Sequence, residues 1–216
     1  MKYNTYIFDF DLTLADATSG IIQCYKKVLE KHNYPIPDDY AIKRTIGKTL
    51  TESFSIFTGI TSPDILEQLR CEYVSFADEI MTENTHIFES VFPLVQALKK
   101  HSARIGIVTT KFAYRAIEAL DKYNLTEYFD VIIGNENVKE YKPSPEGLNY
   151  AISQLMSEKS KVLYVGDTTI DAMTAANANV DFAAVLTGMT TKDEFGNYNC
   201  NYIFNDLIEL CEELLK

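Results

Sequence analysis

The sequence predicts an α/β fold: a parallel sheet flanked by helices, with an all-helical subdomain inserted after the first strand. Three observations carry that reading. Five short apolar runs are near-continuous rather than alternating, as in strands buried on both faces. Helical spacing fills the gaps between the later runs, which gives βαβ units. Between residues 17 and 90 the alternation stops and only helical spacing remains. The length of 216 residues suits one domain with a large insertion.

Each element follows in order. Thr5-Tyr-Ile-Phe-Asp9 is the first strand. Residues 19–32 carry Ile21, Ile22, Tyr25, Val28 and Leu29 at helical spacing. Residues 50–57 place Leu50, Phe54 and Phe57 at i, i+4 and i+7 behind a Thr49…Glu52 capping box. After Ser62-Pro63 a third helix lines up Leu66, Leu69, Tyr73, Phe76 and Ile80. No strand is expected in residues 17–90, which are assigned to the helical subdomain; residues 1–16 and 91–216 form the α/β core. There the strand Arg104–Thr109 precedes a helix over 112–123 with Ala113, Ala116, Ile117 and Leu120 on one face. Asp130–Gly134 is the third strand, and Ser144 with Pro145 starts a helix over 145–156. Lys161–Asp167 leads into an alanine-rich helix over 169–178. Asp181–Leu186 is the fifth strand, and Asn205 caps a last helix reaching Leu215.

Composition bounds the function. The apolar fraction of 46% and charged fraction of 24% exclude wholesale disorder. Twenty basic residues against 31 acidic ones give a net charge of −11, which argues against nucleic acid or an anionic membrane as partner. A small anionic substrate stays open, because one local cation can reverse the field inside a cleft. No run approaches the roughly 18 apolar residues of a membrane span, and Met1-Lys2-Tyr3-Asn4 opens no signal peptide. The expectation is a soluble, cytoplasmic protein, monomer or homodimer. Cys24, Cys71, Cys200 and Cys211 form no CxxC pair, and His32, His86 and His101 show no ligand spacing, so no zinc site is expected.

The chemistry follows from what stands at the strand ends. Asp9 and Asp11 close the first strand, where i and i+2 point the same way. Gly166-Asp167 closes the fourth, with Asp171 one helical turn on. Ligand sites of open α/β sheets form at these carboxyl ends. Four carboxylates there repel and raise one another's pKa. A hard divalent ion resolves that, and all-oxygen ligation suits Mg²⁺. Thr109 and Thr110 in Thr109-Thr-Lys111 offer hydroxyl and backbone donors to a phosphoryl oxygen. Lys142, between Tyr141 and Pro143, offers a cation on a stiff backbone. Singly these residues have plainer roles: a solvated turn, a first-turn acid favoured by the helix dipole, a surface lysine. Arriving in order at four successive strand ends, they read as one site. A receiver domain is the near miss, but it needs adjacent acids after the first strand and an Asp on the third. This chain has Asp-x-Asp on the first and Gly134-Asn135 after the third.

These motifs resemble the haloacid dehalogenase-like (HAD) hydrolase superfamily, in its phosphoglycolate phosphatase and β-phosphoglucomutase-like branch, over nearly the whole chain. Asp9-Phe-Asp-Leu-Thr13 looks like the first motif, Thr109-Thr-Lys111 the second, Lys142-Pro-x-Pro the third and Gly166-Asp-x-x-x-Asp171 the fourth. The resemblance implies a Rossmann-like core, a helical cap over 17–90, and Mg²⁺-dependent hydrolysis of a small phosphorylated metabolite such as phosphoglycolate. It implies Asp9 as nucleophile and Asp11 as general acid–base. Thr109, Thr110 and Lys142 would bind the phosphoryl group. Mg²⁺ would lie on Asp9, the Asp11 backbone carbonyl and Asp167, with Asp171 in support. Arg44, Thr45 and Lys48 are the cap's polar candidates for substrate.

Departures narrow the reaction. Asp11 excludes the dehalogenating and phosphonate-cleaving branches, which lack that residue. The mutase pattern has a His where Ile21 stands, which favours hydrolysis over a sugar-phosphate mutase. A pyrophosphatase of the same branch and a non-catalytic HAD-like binding module also stay open. Leu12 stands where the family commonly has Gly, Thr110 where it has Asn, and Asn179 near a usual Gly.

Overall fold

The computed structural model describes residues 2–214. In chain order its elements are β1 (Thr5–Phe8), β2 (Ala15–Asp16), α1 (Thr18–Lys31), α2 (Asp39–Lys43), α3 (Leu50–Thr58), α4 (Pro63–Ile80), β3 (His86–Ile87), α5 (Val91–Lys100) and β4 (Arg104–Val108). They continue with α6 (Ala113–Lys122), β5 (Val131–Ile133), α7 (Glu146–Gln154), β6 (Val162–Gly166), α8 (Thr169–Ala178), β7 (Asp181–Val185), α9 (Lys192–Phe195), β8 (Tyr202–Phe204) and α10 (Leu207–Leu214). The chain forms two compact units, Met1–Ala15 with Ile87–Lys216, and Asp16–His86.

The first unit is a six-stranded sheet in the order β5-β4-β1-β6-β7-β8, with its neighbours parallel. Its central strand shows why the runs are continuous. Tyr6 and Phe8 enter a core with Leu94, Leu98 and Leu120, while Ile7 enters another with Leu148, Ala151 and Ala175. Helices cover both faces, so every β1 side chain is buried, at about 1.5–3 kcal/mol for each large apolar group. Strand order reverses at β1, which lies between β4 and β6. The crevice outside the carboxyl ends of these three strands is where an open α/β sheet takes a ligand.

The second unit packs around Tyr25 of α1. Its ring meets Phe54 and Phe57 of α3 and Tyr73 of α4, with centroids 5.1, 5.2 and 4.7 Å apart. The Thr49–Glu52 capping box is present, and Gly59 ends α3 in the left-handed region at φ 73°.

Where expectation and structure differ, the elements concerned are short, with the ten-residue α5 the exception. Residues 17–90 contain the two-residue β3, which forms a small sheet with β2, and the five-residue α2. Neither is long enough to leave a periodic pattern. The ten-residue α5 and the three-residue β8 are likewise additions to the expected elements. The cap of α10 is Asp206 rather than Asn205: its Oδ1 accepts from the N–H groups of Ile208 and Glu209, while Asn205 donates to Glu209. Pro145 stands at the N-cap of α7, and Ser144 Oγ still accepts from the Glu146 N–H. Leu215 lies outside the described residues. Among those described, no helix is long and apolar enough to cross a membrane.

Candidate active site

β1 stops at Phe8, so the i, i+2 argument for Asp9 and Asp11 does not apply; a tight turn orients them instead. The N–H groups of Thr13, Leu14 and Ala15 fold back onto the Phe10 carbonyl. Leu12 takes φ 58°, a left-handed conformation that costs a non-glycine residue about 1–2 kcal/mol. Three contacts hold it there. Its N–H donates to Ala15 O at 2.7 Å, its carbonyl accepts from Thr187 Oγ1 at 2.5 Å, and its side chain is buried. The turn for which the family commonly has Gly is thus kept with Leu.

Around this turn three buried carboxylates converge. Asp9, Asp167 and Asp171 each present an oxygen within 4.8 Å of the others. The loop before α7 carries Lys142 among them, its Nζ 2.7 Å from Asp9 Oδ1 and 2.7 Å from Asp171 Oδ1. Burial pushes the Asp9 carboxyl up to about 7; Lys142 pulls against this, and the charges of Asp171 and Asp11 add to it. Burial, then the charges of Asp171 and Asp9, hold Asp167 well above the carboxylate range. Burial works against the Lys142 ammonium, but Asp171 and Asp9 override it and keep it firmly charged.

The surroundings orient each acid. Thr168 caps α8 reciprocally with Asp171, and Tyr164 OH donates to Asp171 Oδ1 at 2.9 Å. Thr13 Oγ1 donates to Asp167 Oδ1 at 3.0 Å. A Cβ at Gly188 would stand 1.9 Å from Asp167 Oδ2, and one at Gly166 would stand 2.5 Å from Asp171 Cγ. Neither position has room for a side chain. Beyond β4, buried Thr109 accepts from the Lys111 N–H through Oγ1, which leaves its own O–H to donate elsewhere. Thr110, Thr109, Lys142 and Gly134 line one small cavity. Lys111 Nζ lies 3.0 Å from Asp11 Oδ2.

The family model for haloacid dehalogenase-like hydrolases matches residues 6–185. The chain belongs to that family. Two relatives named pyrophosphatase PpaX cover nearly its whole length. The one from Halalkalibacterium halodurans is 28% identical over 98% of this chain and 97% of its own. The one from Bacillus cereus is 30% identical over 97% and 95%. A solved haloacid dehalogenase-like hydrolase from Bacteroides fragilis is 49% identical, with TM-score 0.95 over 97% of this chain and all of that one. A structure from Haemophilus somnus described as a phosphoglycolate phosphatase has TM-score 0.87 over 98% of both chains at 18% identity, a likeness of fold alone.

In this HAD-like hydrolase, an enzyme by its family, the donor set fits a hard divalent cation. It is all oxygen, and it carries more negative charge than one ammonium offsets. Asp171 already accepts from Lys142, Tyr164 and Thr168, whereas among the described residues no side-chain hydrogen bond is given to Asp9 Oδ2 or Asp167 Oδ2. The cap candidates belong to the helical unit: Arg44 is exposed after α2, and Lys48 is half-buried in the turn before α3. Thr45 is buried and donates to Ile42 O, which makes it part of that unit's interior. Tyr164 and Gly188 join the site beyond the expected residues. A tyrosine in an otherwise apolar strand is a legible signal, since a buried hydroxyl needs a partner; Gly188 carries no local one.

Proposed function

We propose that this HAD-family phosphatase is a Mg²⁺-dependent phosphomonoester hydrolase, acting on a small phosphorylated metabolite through an aspartyl-phosphate on Asp9. The observation that carries the reading is the convergence of Asp9, Asp167 and Asp171 with Lys142 at the carboxyl edge of β1 and β6. Asp9 attacks phosphorus: its oxygen–phosphorus bond forms as the bond to the leaving oxygen breaks, and Asp11 gives that oxygen a proton. Water then attacks the same phosphorus, Asp11 takes its proton, and the Asp9–phosphorus bond breaks. Lys142, Thr109 and Thr110 receive the phosphoryl oxygens, and Lys142 offsets the charge of Asp9. Asp9, the Asp11 carbonyl and Asp167, with Asp171 in support, would hold Mg²⁺, which would supply further neutralisation of phosphoryl charge. Residues 17–90 act as a cap, where Arg44 and Lys48 contact substrate, and the cytoplasm is the expected location.

Pyrophosphate is the second substrate reading, favoured by the full-length relatives named pyrophosphatase. Ile21, buried in α1, supplies no acid–base group at the position where the mutase pattern has His. The test is a Mg²⁺-dependent phosphate-release panel of phosphoglycolate, pyrophosphate, sugar phosphates and nucleotides, with Asp9→Asn as control. Release from at least one substrate, abolished by Asp9→Asn, is expected. No release from any would sink the hydrolase reading, and isomerisation of a sugar phosphate without release would favour the mutase.

A further inference from the structure

The site holds a second cation that the steps above do not use. Lys111 Nζ lies 3.0 Å from Asp11 Oδ2, with only 7% of the lysine side chain and 12% of the aspartate side chain exposed. The backbone of Lys111 is fixed at both polar groups: its N–H donates to Thr109 Oγ1 at 3.1 Å, and its carbonyl accepts from Asn135 N at 2.9 Å. The ammonium is therefore carried by the same short segment that presents the phosphoryl-binding hydroxyl. Asp11 engages it through one oxygen, while the other, Oδ1, is buried without a hydrogen-bond partner among the described residues. A buried acceptor left open in this way calls for a ligand atom or water to fill it.

Lys142 is committed to Asp9 and Asp171, on the nucleophile side. Lys111 stands with Asp11, on the leaving-group side. We propose that Lys111 reads the leaving group, selecting phosphoesters and anhydrides whose leaving group carries a negative charge of its own. The inference rests on the phosphatase reading and deepens it by naming the substrate class. As the bond from phosphorus to the leaving oxygen breaks, that oxygen takes the proton from Asp11. The group then departs with its second anion, a carboxylate or a phosphate, paired to the Lys111 ammonium. An alcohol with no such anion leaves Lys111 on Asp11 and gains nothing from it. A buried ammonium suits this task, because charge-assisted hydrogen bonds to carboxylate or phosphate are the strong ones. Pyrophosphate and phosphoglycolate both carry the required anion, and glycerol 3-phosphate does not.

The experiment measures kcat and KM for pyrophosphate, phosphoglycolate and glycerol 3-phosphate with Mg²⁺, in the native protein, Lys111→Met and Lys111→Arg. Thermal melts establish that both variants fold. In Lys111→Met the preference in kcat/KM for the better anionic substrate over glycerol 3-phosphate falls on the order of 10- to 100-fold, the worth of one charge-assisted hydrogen bond. Most of that fall lies in KM, and Lys111→Arg recovers part of it. Which anionic substrate loses more identifies the leaving group that Lys111 meets. An unchanged preference, whether all three activities drop together or none does, would show that Lys111 only positions Asp11 and would overturn the proposal. Absence of phosphate release from every substrate in the native protein would overturn the phosphatase reading and this inference with it.

Discussion

Replacing Lys142 with Met tests the electrostatics of the site most directly. The ammonium is 6% exposed and sits 2.7 Å from two carboxylates that are themselves 4% and 1% exposed. Methionine fills much of the same volume, so the change is chiefly one of charge. Removing one partner from a buried ion pair costs about 3–5 kcal/mol, because the other partner stays buried and uncompensated. For a chain of this size that is a fall in Tm of about 6–20 °C. The loss depends on pH. At about pH 6 the Asp9 carboxyl, raised to about 7 by burial, takes up a proton and relieves part of it, and at about pH 8 it does so less. The assay is urea and thermal unfolding of the native protein and Lys142→Met in chelator at both pH values, followed by a Mg²⁺ titration by calorimetry. An ammonium beside the carboxylates proposed to hold Mg²⁺ also repels a cation, so the variant binds Mg²⁺ about tenfold more tightly or better while losing phosphate release. Equal stability of the two proteins at pH 8, or a larger loss at pH 6 than at pH 8, would refute the reasoning.

Three other changes probe the same cluster. Folding raises the Asp9 carboxyl from 3.8 to about 7, so its contribution to stability is complete below about pH 4 and is lost as pH rises through 7. In chelator, Asp9→Asn therefore gains on the native protein by on the order of 1–3 kcal/mol between pH 5 and 8, read by urea unfolding; a flat difference would contradict the shift. Gly188→Ala puts a methyl 1.9 Å from the unmoved Asp167 Oδ2, so Asp167 must turn away, and Mg²⁺ affinity falls about 10- to 100-fold by calorimetry. Tyr164→Phe removes the 2.9 Å bond to Asp171 and costs about 1–2 kcal/mol by chemical denaturation; it lowers kcat less than Lys142→Met does, because Lys142 and Thr168 still hold Asp171.

The parts of the fold legible in the sequence are those with enough residues to show a period. The strands through Ile7, Ile107 and Val165 are apolar on consecutive positions because helices cover both faces, and the cap of α3 is written in Thr49 and Glu52. β3 and α2, with two and five residues, are too short for a period to repeat. The carboxylates were legible because each follows a strand end, which fixes its position without knowledge of side-chain geometry. The Asp9–Asp11 relation came out through a different cause from the one expected: a left-handed Leu12 and a turn onto Phe10, neither of which spacing encodes. The Lys111–Asp11 pair and the Gly188 approach to Asp167 join segments about 100 and 20 residues apart, and only the folded backbone brings such partners together.

The same geometry ties the proposed nucleophile to the proposed cation site. Asp9, Asp167 and Asp171 are buried together against one bridging lysine, so the ionised cluster is short of positive charge whatever the net charge of the surface. Two remedies exist, a proton or a second cation. A carboxyl held at about 7 is partly protonated at neutral pH, and a protonated Asp9 cannot attack phosphorus. The second remedy would ionise Asp9 fully and would let phosphoryl oxygens approach, which the proton cannot do. Under the proposed mechanism, the burial of three acids thus makes Asp9 reactive only when the cation site is filled. A core that replaced Asp167 by a neutral isostere would fold more stably without metal and would lose that coupling.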